Sequence, residues 1–307
     1  AWEQSWQGDD GEAFLSRGMR DVWASRPDLP LLLFNGTSVN DPCRFNGSVM
    51  TASAHSADDT CTSLKVFEGR THGVGEQATL AATKDLDDYL CPDQDIKVST
   101  AVMLSARFPV ITPSGRIGEA TSRCRDEPVD AYVIDGAYLE GSGAGTIMEL
   151  WGRLERDVDQ WNSANDSCVV PFLIQIDNGY ENPTAAAAGT TPIEALVPIR
   201  SLVSSQFGRI ANAREQAAIA FDRGLRVAGE PVAVFDANGV EIASRYARVT
   251  TRAHPGVQAP LGWTLSDASI DDLRSQLGID ENVQELAEIQ RWLSGPITCD
   301  TKDGEAP

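Results

Sequence analysis

The clearest apolar periodicity in the chain follows residue 146. Apolar side chains recur there three or four residues apart, which gives one stripe along a helix: Ile147, Leu150, Trp151, Leu154, Val158 and Trp161. Similar spacing predicts helices over residues 12–24, 77–90, 199–221, 267–277 and 281–293, and an apolar run predicts another at 98–105. Ser266 is well suited to cap the helix at 267–277, because its hydroxyl can accept from an N–H of the first turn. Acidic residues in that turn favour the same helix start.

Short apolar runs bounded by turn-forming residues predict buried strands over residues 31–35, 131–134 and 169–176. A hairpin is predicted where 232–235 and 240–243 flank an Asp-Ala-Asn-Gly turn. Residues 37–75 and 181–198 are predicted to be loops. Helices that alternate with short strands predict an α/β sandwich with helices on both faces of the sheet. No boundary between two domains is apparent within 1–293, and a frayed polar tail is expected over 294–307.

The charge of the chain is strongly acidic, with 45 Asp and Glu against 25 Lys and Arg, a formal net charge of -20. This excess argues against a nucleic-acid partner, which requires clustered basic residues, and against electrostatic attachment to anionic lipid. No apolar run approaches the roughly 18 residues that span a bilayer. The first residues include neither an initiator Met nor a signal-like segment, so we expect the chain to begin inside a larger gene product.

Six cysteines are present, and none forms the C-x-x-C spacing of zinc or thioredoxin sites. Two interpretations stay open: disulfides in an oxidising compartment, or free thiols in a reducing one. Cys43–Cys61 and Cys91–Cys124 have the character of loop cross-links, which favours disulfides. Asn35, Asn46 and Asn165 stand in N-x-S/T triplets, which accept glycans only in a secreted eukaryotic protein.

Asp135 is the leading candidate for chemistry, because it ends a predicted strand and is followed by glycine-rich sequence. Catalytic groups in open α/β sheets gather outside the carboxyl ends of strands. The structural alternative is that Asp135 caps the following turn through backbone N–H groups. Gly136 is expected to turn the chain sharply with a positive φ.

Other candidates are weaker. Gly141, Gly143 and Gly145 could form a phosphate-binding loop at a helix N-terminus, but their G-x-G-x-G spacing is wrong and Glu140 would repel phosphate. Asp177 also follows a strand, although an ordinary turn explains it. The histidines lie in loop-like sequence, and no G-x-S-x-G marks a serine partner; they are His55, His72 and His254. No metal or cofactor motif is present.

Three segments in order carry a resemblance to a known family. They are PLLLFNGTS at 30–38, VSTAVMLSARFP at 98–109 and IDGAY at 134–138. The first resembles a strand of the patatin-like phospholipases, the second their Ser-Ala-x-x-Pro helix, and the third their Asp-Gly-Gly or Asp-Gly-Ala motif. A fourth segment, PLGWTLS at 260–266, looks like one seen in larger bacterial members.

The resemblance implies a three-layer α/β/α sandwich and a lipid acyl hydrolase with a Ser–Asp dyad, in which Asp135 is the acid. The serine elbow and the oxyanion loop precede the first of these segments in the family. We therefore expect the nucleophile outside this chain, a lipid or acyl-ester substrate, and a possible membrane surface reached through the missing part. The alternative is a non-catalytic lipid- or protein-binding module of the same fold.

Overall fold

The structure is a computed structural model, and it describes residues 13–52, 61, 80, 82–108, 112–118, 124, 130–165, 168–177, 197–252 and 266–301. Contacts group the chain into two compact units, Ala1–Leu150 and Trp151–Pro307. The division falls inside a long helix, where the pattern of apolar residues continues without a break. Each unit has its own strands and its own apolar core.

Within its described residues, the first unit contains a five-stranded sheet and three short 3-10 helices, together with the helices that pack beside them. Its helices are α1 (Met19–Ser25), α2 (Val98–Ser105) and the start of α3 (Ala144–Ala164). Its strands are β1 (Phe34–Ser38), β2 (Arg44–Gly47), β3 (Thr83–Asp85), β4 (Gly115–Ile117) and β5 (Ala131–Asp135). The 3-10 helices are Phe14–Ser16, Leu86–Tyr89 and Gly136–Tyr138.

The strands of this sheet run in the order β3-β2-β1-β5-β4. β2 and β3 are parallel, while β1 pairs antiparallel with both β2 and β5, and β4 pairs antiparallel with β5. Helix α2 packs against β1 and β5. Its buried side chains, Val98, Ala101 and Leu104, join Phe45 and Val133 in the core. The sheet therefore places the end of β5 beside β1 and the C-terminal end of α2.

The second unit contains two small sheets and the longer helices. Its helices are the rest of α3, α4 (Val197–Asp222), α5 (Asp267–Gln276) and α6 (Asp280–Leu293). Its strands are β6 (Leu173–Ile176), β7 (Arg226–Val227), β8 (Glu230–Phe235), β9 (Tyr246–Val249) and β10 (Thr298–Thr301). β10, β8 and β7 form one antiparallel sheet, and β6 pairs parallel with β9. Phe172 stacks on Trp292 in the core, with ring centroids 4.5 Å apart.

The prediction of a mixed α/β chain is confirmed. The helices predicted at 98–105, 199–221, 267–277 and 281–293, and along the stripe after residue 146, correspond to α2, α4, α5, α6 and α3. Ser266 caps α5, since its side chain accepts a hydrogen bond from the Ser269 N–H. The strand predicted at 131–134 is β5, and the predicted hairpin forms, although its second arm is reduced to one bridge, Phe235 to Glu241.

Several predicted elements are wrong in position or kind. Residues 83–89 form β3 and a 3-10 helix instead of the helix predicted over 77–90. The predicted strand at 31–35 starts at Phe34, and β2 lies inside a predicted loop. The tail is not frayed at 298–301, because β10 pairs with β8 there. The loop predicted over 181–198 lies largely outside the described residues.

All six cysteines are in disulfides: Cys43–Cys61, Cys91–Cys124 and Cys168–Cys299. The two pairs favoured from the sequence are confirmed, and the free-thiol interpretation is wrong. The first two disulfides lie in the first unit and the third lies in the second. Each unit is thus cross-linked within itself.

Candidate functional site

The backbone of Asp135 is fixed from two sides at the end of β5. Its N–H donates to the carbonyl oxygen of Arg107 at 2.9 Å, just after the C-terminus of α2. Its carbonyl oxygen accepts from the Thr37 hydroxyl of β1 at 3.0 Å, and Asp135 is the register partner of Gly36. The segments at 30–38, 98–109 and 134–138, far apart in sequence, therefore meet at this residue.

The carboxylate of Asp135 is half-buried and caps the 3-10 helix that follows. Its Oδ1 accepts from the Ala137 N–H at 2.8 Å. The capping interpretation is thus confirmed. The cap occupies one oxygen only, because Oδ2 receives no hydrogen bond from the residues that the structure describes. The second oxygen can accept a hydrogen bond from a hydroxyl group brought to this edge of the sheet.

Gly136 is required by close packing and not by its φ angle. A Cβ atom at this position would lie 2.3 Å from the carbonyl oxygen of Asn35 and 2.8 Å from its carbonyl carbon. The expected positive φ is wrong for Gly136, and in this segment it occurs at Gly143. The glycine lets the turn after Asp135 lie directly against the backbone of β1.

Asn35 ties β1 to the loop that follows Asp135. Its Nδ2 donates to Thr146 Oγ1 at 2.9 Å and to Glu140 Oε2 at 3.2 Å. Its carbonyl oxygen accepts from the Ser105 hydroxyl in the last position of α2. One residue of β1 thus contacts helix α2, the loop and the start of α3.

The carboxylate of Glu140 sits at the N-terminus of α3. It accepts from the N–H groups of Gly145 and Thr146 at 3.2 Å each, from Thr146 Oγ1 at 2.7 Å and from Ser142 Oγ at 3.2 Å. A negative charge is favourable there because of the helix dipole and the unpaired N–H groups of the first turn. The phosphate-loop alternative is disfavoured, since these donors are already used within the chain.

Sequence reasoning identified Glu140 only as a residue that would repel phosphate. Its structural role could have been found from the general preference for acids at helix N-termini, applied to an acid shortly before a predicted helix. The role of Asn35 has no local signal, because the partners of its side chain stand more than 100 positions further along the chain.

Loss of the Glu140 carboxylate is expected to loosen the turn that carries Asp135. We expect Glu140→Ala to lower the free energy of unfolding of the first unit by about 2–3 kcal/mol, because the donors around it lose a charged acceptor. Urea denaturation measures this. Glu140→Gln, which keeps an acceptor oxygen, should cost less, and Asp93→Ala, at an exposed loop position, should cost close to nothing. An equal effect of the Ala variants at 93 and 140 would contradict the role of Glu140.

Two aromatic side chains lie beside this turn. Tyr138 and Phe108 are each a little more than one third exposed, and their ring centroids are 5.8 Å apart. Phe108 directly follows Arg107, whose carbonyl binds the Asp135 N–H. The turn that carries Asp135 therefore has a partly exposed apolar surface next to it.

The second acidic candidate, Asp177, has a side chain that is only 9% exposed, and its carboxylate is paired. Its carboxylate accepts from Arg214 at 2.8 Å, from Arg248 at 2.6 Å and from the Thr250 hydroxyl at 2.8 Å. It belongs to the second unit, whereas Asp135 belongs to the first. These contacts make Asp177 a charge-paired structural residue that links β6, α4 and β9.

The remaining sequence candidates contribute nothing to the described site. His55, His72 and His254 lie outside the described residues. Asn46 is fully buried and binds Asp85, so it is not an accessible glycan acceptor in the fold.

Within the described part of the chain, no group of three or more acidic, His or Cys side chains is arranged to hold a metal ion. No described helix is long and apolar enough to cross a membrane.

Comparison of the chain with protein-family models, with curated proteins and with solved structures gives no match.

Proposed function

We propose that this chain contributes the acid of a Ser–Asp dyad to a patatin-like lipid acyl hydrolase, and that Asp135 is this acid. One observation carries the proposal. The three segments that resemble the family come together at Asp135, through the Arg107 carbonyl, the Thr37 hydroxyl and the pairing with Gly36. Their meeting point presents a carboxylate with one oxygen fixed by Ala137 and the other without a partner among the described residues.

The proposed chemistry is acyl transfer to a serine. The serine hydroxyl donates to Asp135 Oδ2 at about 3 Å, and its proton passes to the carboxylate as Oγ attacks the ester carbonyl carbon. The tetrahedral intermediate then expels the alcohol, which takes the proton from Asp135. Water hydrolyses the acyl-serine in the second half, and its proton returns through Asp135 to the serine oxygen.

The rigid attachment of Asp135 suits this role. A carboxylate that must receive a proton from one particular hydroxyl needs a fixed position, because small displacements of catalytic groups reduce rates strongly. The hydrogen bonds to Arg107, Thr37 and Ala137 restrain the backbone and one carboxylate oxygen of Asp135. The exposed rings of Phe108 and Tyr138 offer an apolar surface for an acyl chain next to it.

The proposal places the serine and the oxyanion-binding loop outside these 307 residues, because the sequence contains no G-x-S-x-G elbow. A three-layer patatin-like sandwich is part of the same proposal. It is supported by the packing of α2 on β1 and β5, which supplies one helical layer, and by the position of Asp135 at the end of β5.

The test uses the natural gene product that contains this chain and measures hydrolysis of a chromogenic octanoyl ester. We expect Asp135→Asn to reduce kcat by at least about 100-fold, a typical contribution of a general base. A fluorophosphonate probe should label one serine in the wild-type protein and label it much more slowly in the variant. Asp130→Asn is the matched control, since Asp130 stands just before β5 and pairs with Arg116 at the surface.

Two results would count against the proposal. An Asp135→Asn variant with wild-type activity and labelling would remove Asp135 from the mechanism. A wild-type gene product that neither hydrolyses the ester nor reacts with the probe would favour a non-catalytic binding module of the same fold.

A further inference from the structure

The second unit contains an apolar pocket of about 320 Å³. Its volume is at the lower end of the roughly 300–1,000 Å³ that small-molecule sites occupy. The apolar walls come from two strand ends and one helix: Ile176, Val249, Ile270, Leu273 and Leu277. Ile176 is 80% exposed and Leu277 is 50% exposed. Large aliphatic side chains thus remain uncovered around a concave surface, which is a feature of binding sites.

The pocket lies where an α/β fold is expected to bind a ligand. β6 and β9 are parallel, and their last residues, Ile176 and Val249, are register partners. Both residues line the pocket, so it opens at the carboxyl ends of the two strands. Ligands of open α/β sheets characteristically bind outside this end of parallel strands. The position of the pocket at the ends of these two strands thus agrees with its concave shape.

Both side-chain amides in the pocket wall are held by hydrogen bonds within the protein. Asn282 accepts from the Thr250 N–H at 3.0 Å and donates to the carbonyl oxygens of Thr250 and Gln276 at 2.7 and 2.8 Å. The Gln276 side chain accepts from the Arg252 N–H and donates to Asp272 at 2.7 Å. A ligand would meet a largely apolar surface, since these side-chain amides are engaged within the protein and much of the remaining wall is aliphatic.

The charged side chains in the wall are also paired. Asp177 is neutralised by two arginines and a threonine hydroxyl, as described for the site candidates. Arg274, at the rim, faces Asp271 at 3.6 Å, and both side chains are largely exposed. Asp272 lies next to them on α5. The rim of the pocket therefore carries Arg274 with carboxylates beside it, so neither an anionic nor a cationic ligand meets an unopposed opposite charge.

We infer that this pocket binds a small uncharged aliphatic molecule. A volume of 320 Å³ corresponds to about ten water molecules at ~30 Å³ each, so the ligand has on the order of ten heavy atoms. A medium-chain alcohol or a short acyl ester has this size and this lack of charge. The inference depends on the second unit alone and stands whether or not Asp135 is catalytic.

The experiment titrates the full chain, with ¹³C-labelled Ile and Leu methyl groups, against octanol, octanoate and octylammonium. NMR follows the methyl signals of Ile176, Ile270 and Leu273. We expect octanol to shift these signals and to saturate. Octanoate and octylammonium should bind at least about tenfold more weakly, because each would carry an unpaired charge into an apolar site.

Matched variants locate the binding. Leu277→Glu should weaken octanol binding at least about tenfold, because it places a charge in the pocket wall. Leu293→Glu is the control, since Leu293 is 78% exposed and does not line the pocket. Leu273→Trp should also weaken octanol binding, because the larger side chain fills the pocket that Leu273 lines. The half-exposed position of Leu277 keeps the test valid if the tryptophan variant fails to fold.

The inference is overturned if octanol causes no saturable shift of the three pocket residues, or if Leu277→Glu and Leu293→Glu bind it equally. It is also overturned if octanoate or octylammonium binds as tightly as octanol, since the pocket would then select a charged ligand.

Discussion

Replacement of Gly136 by alanine is expected to lower the free energy of unfolding of the first unit by about 3 kcal/mol, the upper part of the range for overpacking. The added methyl group would lie 2.3 Å from the Asn35 carbonyl oxygen. That atom belongs to the backbone of β1, so it cannot move aside as a flexible side chain could. Relief would require the turn after Asp135 to separate from β1.

Urea denaturation of the full chain, followed by circular dichroism, measures this loss. Gly152→Ala is the control, because Gly152 is helical and a Cβ there meets no atom within 4 Å. That variant should be stabilised by about 0.5–1 kcal/mol through helix propensity. If Gly136→Ala were as stable as the wild type, the close approach of Gly136 to the Asn35 backbone would be contradicted.

Removal of the Cys168–Cys299 disulfide is expected to have the largest effect on stability in the second unit. The two cysteines are 131 positions apart, and closure of so long a loop restricts the unfolded chain by about 5 kcal/mol in the chain-entropy model. The double variant Cys168→Ala, Cys299→Ala should therefore lose up to this amount. It also frees β10 from its covalent attachment while leaving its pairing with β8 in place.

Calorimetry compares this double variant with Cys43→Ala, Cys61→Ala. The latter opens a loop with a separation of only 18 positions, for which the same model gives about 3 kcal/mol. A Cys168–Cys299 variant that melts no lower than the Cys43–Cys61 variant would contradict the entropic ranking of these two cross-links.

The elements that the sequence predicts well are those decided by local signals. α5 has an N-cap serine and acids in its first turn, and α2 is a compact apolar run that ends before a proline. These features act within one or two helical turns, so they can be read without the rest of the fold. α3 is predicted for the same reason, since one stripe of apolar residues extends along most of its length.

The missed strands are decided by distant partners. β2 contains Arg44 and Asn46, which look like loop residues but are buried, with Glu149 and Asp85 as partners. β3 lies in a segment that the sequence predicts to be helical, yet Thr83–Asp85 pairs in parallel with β2. Strand formation by polar residues depends on hydrogen-bond partners that no local pattern contains.

In the candidate site too, local features can be predicted from the sequence and distant contacts cannot. Asp135 is identified from its position after a strand, and its capping bond to Ala137 is local. The contacts that fix its backbone come from Arg107 and Thr37, in two other segments. The third disulfide, Cys168–Cys299, follows from the two favoured pairs only by elimination, because its cysteines stand 131 positions apart and no local signal links them.

The connectivity of these disulfides has a consequence for biosynthesis. In chain order, the first cysteine pairs with the second, the third with the fourth and the fifth with the sixth. A chain that is oxidised while it emerges from the N-terminus therefore meets each native partner as the next available thiol. Correct pairing then requires no exchange between bonds, and a ribosome-bound chain could complete the cross-links of its first half before the second half is translated.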